Sequence, residues 1–192
     1  LYTPPSDGAL AGALLDRGND VRIAGRAPRP TDPSFGDDRV PLDPLFYRRG
    51  ERLRARRGDG LAVRLAKAAE HVLDLQRLRA LVRQWQPDVV HWQWPSLPLL
   101  DAGALRRLGA DAPQVATVHD ARVFKSQPGA RRAMSVGWAR FLGAADALVV
   151  HVPATRDAVG AMGVPGERVS IVPHGIFTRP GGPAPGRART DG

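Results

Sequence analysis

Three short apolar runs in this chain each end in residues able to donate, accept or move a proton. Asp88-Val89-Val90 leads into His91 and Gln93, Gln114 to Val118 leads into His119 and Asp120, and Ala147 to Val150 leads into His151. A fourth run, Arg168 to Val172, ends at Pro173-His174-Gly175. One histidine of this kind reads as a hydrogen-bonded strand end. Four at one edge of a sheet argue that the edge is a site, because open parallel sheets bind ligands outside the carboxyl ends of their strands.

The elements needed to position them follow from the pattern around them. Asp20 to Ala24 reads as a strand closed by Gly25, and the Pro- and Arg-rich stretch from Arg26 to Gly60 has no clear period. Leu61, Leu65, Ala68, Val72, Leu75, Leu78, Val82 and Trp85 then recur at steps of three and four. This predicts one long helix over 61–85, stopped by Pro87. His71 lies on that helix beside Val72 and reads as structural. After it, the strands Asp88–Trp92, Gln114–His119, Ala147–His151 and Arg168–Val172 alternate with helices around Asp101–Leu108, Arg131–Leu142 and Ala154–Met162. Strands apolar on both faces and separated by helices call for a parallel sheet covered on both sides, since each parallel connection needs a crossover. The predicted class is α/β, a Rossmann-like three-layer fold with helices on both faces.

Length and composition exclude several alternatives. At 192 residues with no cysteine, the chain suits one ordinary domain and cannot carry a thiol nucleophile, a disulfide scaffold or a thiolate zinc site. No apolar stretch approaches the roughly 18 to 20 residues that span a bilayer. The 28 Lys+Arg against 19 Asp+Glu give a formal charge of +9, but the basic residues are almost all arginines spread over every segment. The four tryptophans, Trp85, Trp92, Trp94 and Trp138, are not interleaved with them as in a single-strand nucleic-acid platform. Nucleic acid is therefore not the expected partner. No Gly-x-Gly-x-x-Gly follows a strand, which argues against a dinucleotide enzyme.

Several ordered elements carry a resemblance to a known family. They are the opening Tyr-Thr-Pro-Pro-Ser-Asp-Gly (2–8), Asp-Arg-Gly-Asn-Asp-Val-Arg-Ile (16–23), Pro-Asp-Val-Val-His (87–91), Ala-Thr-Val-His-Asp (116–120), Ala-Asp-Ala-Leu-Val-Val-His (145–151) and Arg-Val-Ser-Ile-Val-Pro-His-Gly-Ile (168–176). In order and spacing the chain resembles the N-terminal half of a two-domain, GT-B-fold glycosyltransferase of the family-4 kind, over roughly residues 1–177. The resemblance implies an acceptor-binding domain of a retaining, nucleotide-sugar-dependent hexosyltransferase. It implies that His119 and Asp120 sit at the cleft floor as the catalytic pair. Ser6 and Gly8, in a turn after the first strand, and His91 with Gln93 would contact the acceptor or the donor phosphate. Pro173, His174 and Gly175 would form the hinge to a second domain.

The departures from that family shape the expectation. The family's donor half uses a basic residue and a pair of nearby glutamates, whereas only Glu51, Glu70 and Glu167 occur here. No Asp-x-Asp pair occurs either, so no metal and no other cofactor is expected. Nine residues separate Gly8 from Gly18, a short first helix, and Asn19 stands where the family usually has histidine. Leu1-Tyr2 reads as the end of a truncated first strand, and 178–192 as a disordered tail lacking any large apolar residue. The expected chain is an acceptor half without its donor half: a fragment, a degenerate copy, or one chain of a split enzyme. The alternative is a non-catalytic module that binds a carbohydrate or a lipid-linked sugar.

Charge does cluster at one place. Arg48, Arg49, Arg52, Arg54, Arg56 and Arg57 surround a single acid, Glu51, with Phe46, Tyr47 and Leu53 beside them. Such a run reads either as solvated loop or as a segment resting on an anionic membrane. The expected partners are thus a sugar or lipid-linked acceptor, a nucleotide-sugar only through a second domain or subunit, and the inner face of a membrane, with the protein in the cytoplasm.

Overall fold

The computed structural model describes residues 4–29, 32, 39–121 and 131–174. In chain order its elements are α1 (Pro4–Leu15), β1 (Ile23–Arg26), β2 (Leu42–Phe46), α2 (Arg48–Arg57), α3 (Leu61–Trp85), β3 (Val90–Trp92), α4 (Pro98–Leu108), β4 (Gln114–Val118), α5 (Arg131–Ala144), β5 (Ala147–Val150), α6 (Pro153–Gly160) and β6 (Val169–Ile171). All strand pairings are parallel. β1 pairs with β2, and β3 to β6 form a four-stranded sheet in sequential order. Helices return the chain between the strands of that sheet, giving the α/β, Rossmann-like architecture expected of half a GT-B fold.

The core explains these elements. Ala116 and Val118 of β4, Leu148 and Val150 of β5, Trp138, Phe141 and Leu142 of α5, and Leu105 of α4 pack into one buried cluster. Trp138 stacks on Phe141 with ring centroids 5.8 Å apart, and Trp92 meets Phe141 edge-on at the same distance. α5 lies so close to α4 that a methyl on Gly137 would fall 2.7 Å from the Leu99 backbone nitrogen, so only glycine fits there. A second cluster, Leu78, Val82, Leu108 and Ala112, packs with Ala24, Leu45, Phe46 and Val90 and joins the two sheets. Buried Gln114 is satisfied, accepting from Trp92 Nε1 at 2.8 Å and donating to the Ala112 carbonyl at 2.7 Å.

Three expectations are corrected. Pro4 to Gly8 is no turn: it is the first part of α1, with Pro4 and Pro5 in the first turn, where a missing backbone N–H costs nothing. The basic run Arg48–Arg57 is not a loop but helix α2, and β2 precedes it within the stretch that has no clear period. Neither shows a hydrophobic period, because β2 contains Pro44 and α2 is mostly arginine. Finally, the apolar face assigned to α3 is only half correct. Leu75, Leu78 and Val82 are buried, but Leu61 is 72% exposed and Leu65 62%, while Val63, Glu70, His71 and Asp74 lie inside.

The buried polar stripe on α3 secures the neighbouring segment. Glu70 accepts from the backbone N–H groups of Arg49 at 2.8 Å and Gly50 at 2.7 Å, capping α2 from another helix. Asp74 accepts from the Tyr47 N–H at 2.8 Å, and Tyr47 stands in the left-handed conformation, φ 59°. His71 Nε2 donates to Asp101 Oδ1 at 2.6 Å, while its Nδ1 accepts from the Tyr47 hydroxyl at 2.7 Å. Asp101 Oδ2 accepts in turn from the Leu97 N–H at 2.8 Å. The structural reading of His71 fits this placement, since it is 2% exposed and both its nitrogens are bonded.

Candidate functional site

Parallel strands in near-register bring their carboxyl ends to one edge. Trp92 is level with Ala116, Val118 with Val150, and Val150 with Ile171. The residues that follow these positions therefore emerge side by side, and His119, His151 and His174 form a cluster. His119 Nδ1 lies 3.3 Å from His151 Nε2. The His151 and His174 rings have centroids 3.8 Å apart, and His119 lies 5.8 Å from His174. His151 Nδ1 donates to the Val172 carbonyl at 2.8 Å, which ties the end of β5 to the segment leaving β6.

Gln93 connects this trio to His91. Its Oε1 accepts from His119 Nε2 at 3.0 Å, and its Nε2 lies 3.5 Å from His91 Nε2. His91 Nε2 also lies 2.7 Å from the buried Thr117 hydroxyl. Trp94 stacks on His119, with centroids 4.6 Å apart and the planes 13° from parallel. Burial, and then the neighbouring His151, His174 and His91, push His119 down to about 4, so it is neutral at pH 7. His91 is also lowered by desolvation: solvent reaches the ring, but surrounding protein disfavours its charge.

Beside the cluster opens a cleft of about 560 Å³, bounded by α1, the ends of β1 and β2, α3 and the segment after β3. His91, Gln93 and Trp94 belong to both the cleft wall and the histidine cluster. From α1 the cleft takes Asp7, Leu10, Ala11 and Leu14. Ser6 is half-buried in the first turn of α1 and Gly8 is buried within that helix, so the close backbone approach expected of a turn glycine is replaced by a helix end. Basic groups on the opposite wall are largely paired. Arg29 and Lys67 share Glu51 with Arg54; burial opposes that carboxylate's charge, yet the three cations hold it at about 2.

The histidine and glutamine positions expected from sequence thus gather at one edge. Asp120 is exposed just beyond the cluster, and Pro173 and His174 lie exposed past β6. Gly175 and the tail 178–192 fall outside the described residues, as do Leu1 and Tyr2. Sequence reasoning missed Trp94 and Thr117. Trp94 sits two residues past β3, after a bend at Gln93, and stacks on His119 just beyond β4. The hydroxyl of Thr117 is read only once β3 and β4 are paired.

A parallel α/β domain whose strand ends present imidazoles and an amide beside an open cleft is a Rossmann-like domain. The sequence model of Glycosyltransferase Family 4 matches residues 8–179, and the chain belongs to that family. No curated protein matches it.

Proposed function

We propose that this chain provides the acceptor-binding side of a retaining, nucleotide-sugar-dependent glycosyltransferase of hexosyl type. The observation that carries the reading is the Gln93–His119 pair joining the histidine edge to the cleft. Neutral imidazoles and an amide match sugar hydroxyls, which both donate and accept. In this reading His119 orients the acceptor hydroxyl toward the anomeric carbon, Asp120 lies beside the reacting groups, and His91 with Gln93 holds neighbouring hydroxyls. Ser6 and Gly8 shape the α1 end of the cleft. Pro173, His174 and Gly175 lead to the donor-binding half, on a second domain or subunit, and catalysis rests on positioning and on stabilising the leaving phosphate there. The chain alone is expected to show no transfer and little heat of binding with common nucleotide-sugars, while sugar or lipid-linked acceptors bind with measurable heat in calorimetry. Tight nucleotide-sugar binding by this chain would overturn the assignment.

The same reading places the protein in the cytoplasm, resting on an anionic membrane that carries a lipid-linked acceptor. Among the described residues no helix is long and apolar enough to cross a membrane. Phe46, Tyr47 and Leu53 are half-buried and unavailable for insertion. Arg52, Arg56 and Arg57 on α2 are exposed, however, and so are Leu61 and Leu65 at the start of α3. Each exposed arginine contributes about 1 kcal/mol near an anionic surface. Co-sedimentation with phosphatidylserine vesicles is expected at low salt and not at high salt. It should be lost when Arg52, Arg56 and Arg57 become alanine. Binding that survives both changes would rule this face out.

A further inference from the structure

The facing nitrogens of His119 and His151 present an unusual arrangement of lone pairs. His151 Nδ1 contacts the Val172 carbonyl, which can only accept, so the ring proton lies on Nδ1 and Nε2 carries a lone pair. His119 Nε2 contacts Gln93 Oε1, also an acceptor, so its proton lies on Nε2 and Nδ1 carries a lone pair. These two lone pairs face each other at 3.3 Å with no proton of either neutral ring between them. Such a pair calls for a cation.

The spacing fits a metal ion. Two nitrogens bound at 2.0–2.1 Å to a tetrahedral ion lie about 3.3 Å apart. His174 supplies a third nitrogen, and the three ligand atoms lie within 4.8 Å of one another. His174 is exposed on the segment leaving β6, so its ring can close the remaining gap without disturbing the core. The Val172 carbonyl and the Gln93 amide oxygen are the outer partners that metal-binding imidazoles characteristically have, holding the tautomer and ring orientation.

We propose that His119 Nδ1, His151 Nε2 and His174 form a binding site for a borderline divalent cation of the zinc, nickel or copper class. Three imidazoles without thiolate or carboxylate suit these ions over magnesium or calcium. Three protein ligands also leave one coordination position open toward solvent, as in sites that bind a further oxygen ligand. The site departs from the expectation that this domain holds no metal; it does not depend on the identity of donor or acceptor, and while occupied it takes up the His119 nitrogen that the proposed acceptor role would use.

The test is zinc chloride titrated calorimetrically into the chain prepared without a polyhistidine tag. One ion per chain is expected. His174→Ala, at an exposed position, and His151→Ala should each weaken binding by about tenfold or more. Arg107→Ala, exposed on α4 and away from the histidine edge, should leave it unchanged. Cobalt should give the visible absorption of a four-coordinate ion, and copper should quench the Trp94 fluorescence. Imidazole nitrogen resonances of the unmodified chain provide a readout free of folding effects: zinc should shift His119 Nδ1 and His151 Nε2. Absence of saturable binding, binding indifferent to both His174→Ala and His151→Ala, or zinc that leaves both nitrogens unshifted would overturn the site. A proton shared between the two rings would then be the cation.

Discussion

Alanine at position 71 is expected to lower the melting temperature by roughly 6–12 °C, equivalent to about 3 kcal/mol for a domain of this size. The cause is what it leaves behind. Asp101 is 1% exposed, and one of its oxygens has His71 as its partner. Without the imidazole, that oxygen is desolvated with nothing to donate to it, and the Tyr47 hydroxyl loses its acceptor as well. The cost should shrink in an Asp101→Asn background, because a neutral amide is less expensive to leave bare and its oxygen still accepts from Leu97. Thermal unfolding of the two single variants and the double variant measures this. Equal losses from His71→Ala in both backgrounds would show that the cavity, and not the stranded carboxylate, sets the cost.

His119→Ala should act on turnover and spare the fold. In an enzyme that joins this chain to its donor-binding half, kcat/KM should fall by roughly hundredfold, the usual result of misplacing one reacting partner. The melting temperature should change little, because His119 is only half-buried and its partner Gln93 can turn to water. His71 is unsuitable as the silent comparison, given its buried network. An exposed arginine such as Arg107, away from the histidine edge, serves instead. A loss smaller than about threefold would remove His119 from the acceptor site.

The course of α3 was legible to the residue, because its apolar steps and Pro87 are local signals. The strands other than β2 were legible within a few residues for the same reason, and with them the histidine edge, since parallel strands place their ends together. α2 was not legible. Its arginines carry no period, and the groups that hold it, Glu70 and Asp74, belong to α3. The same exchange misled the reading of α3: charged residues went inside because backbone N–H groups from another segment satisfied them, and Leu61 and Leu65 were left outside. Contacts across a tertiary interface leave no trace in local spacing. Trp94 over His119 is another such contact, since it depends on the path of the chain after β3.

The carboxylate that closes the start of α2 lies 20 residues downstream of Gly50, and this sets an order of assembly. A ten-residue helix with six arginines is too short to persist in water, and its like charges at neighbouring turns repel. During synthesis from the N-terminus, α2 emerges from the ribosome before Glu70 and Asp74 do. It must wait as an open, strongly basic coil until α3 folds against it. In pulse-labelled hydrogen exchange on refolding, amides of α2 should therefore gain protection no earlier than those of Leu75 to Val82. Earlier protection of α2 would mean that the helix forms without its distant cap. While it waits, that stretch is the part of the young chain most available to polyanions, the surrounding ribosomal RNA among them.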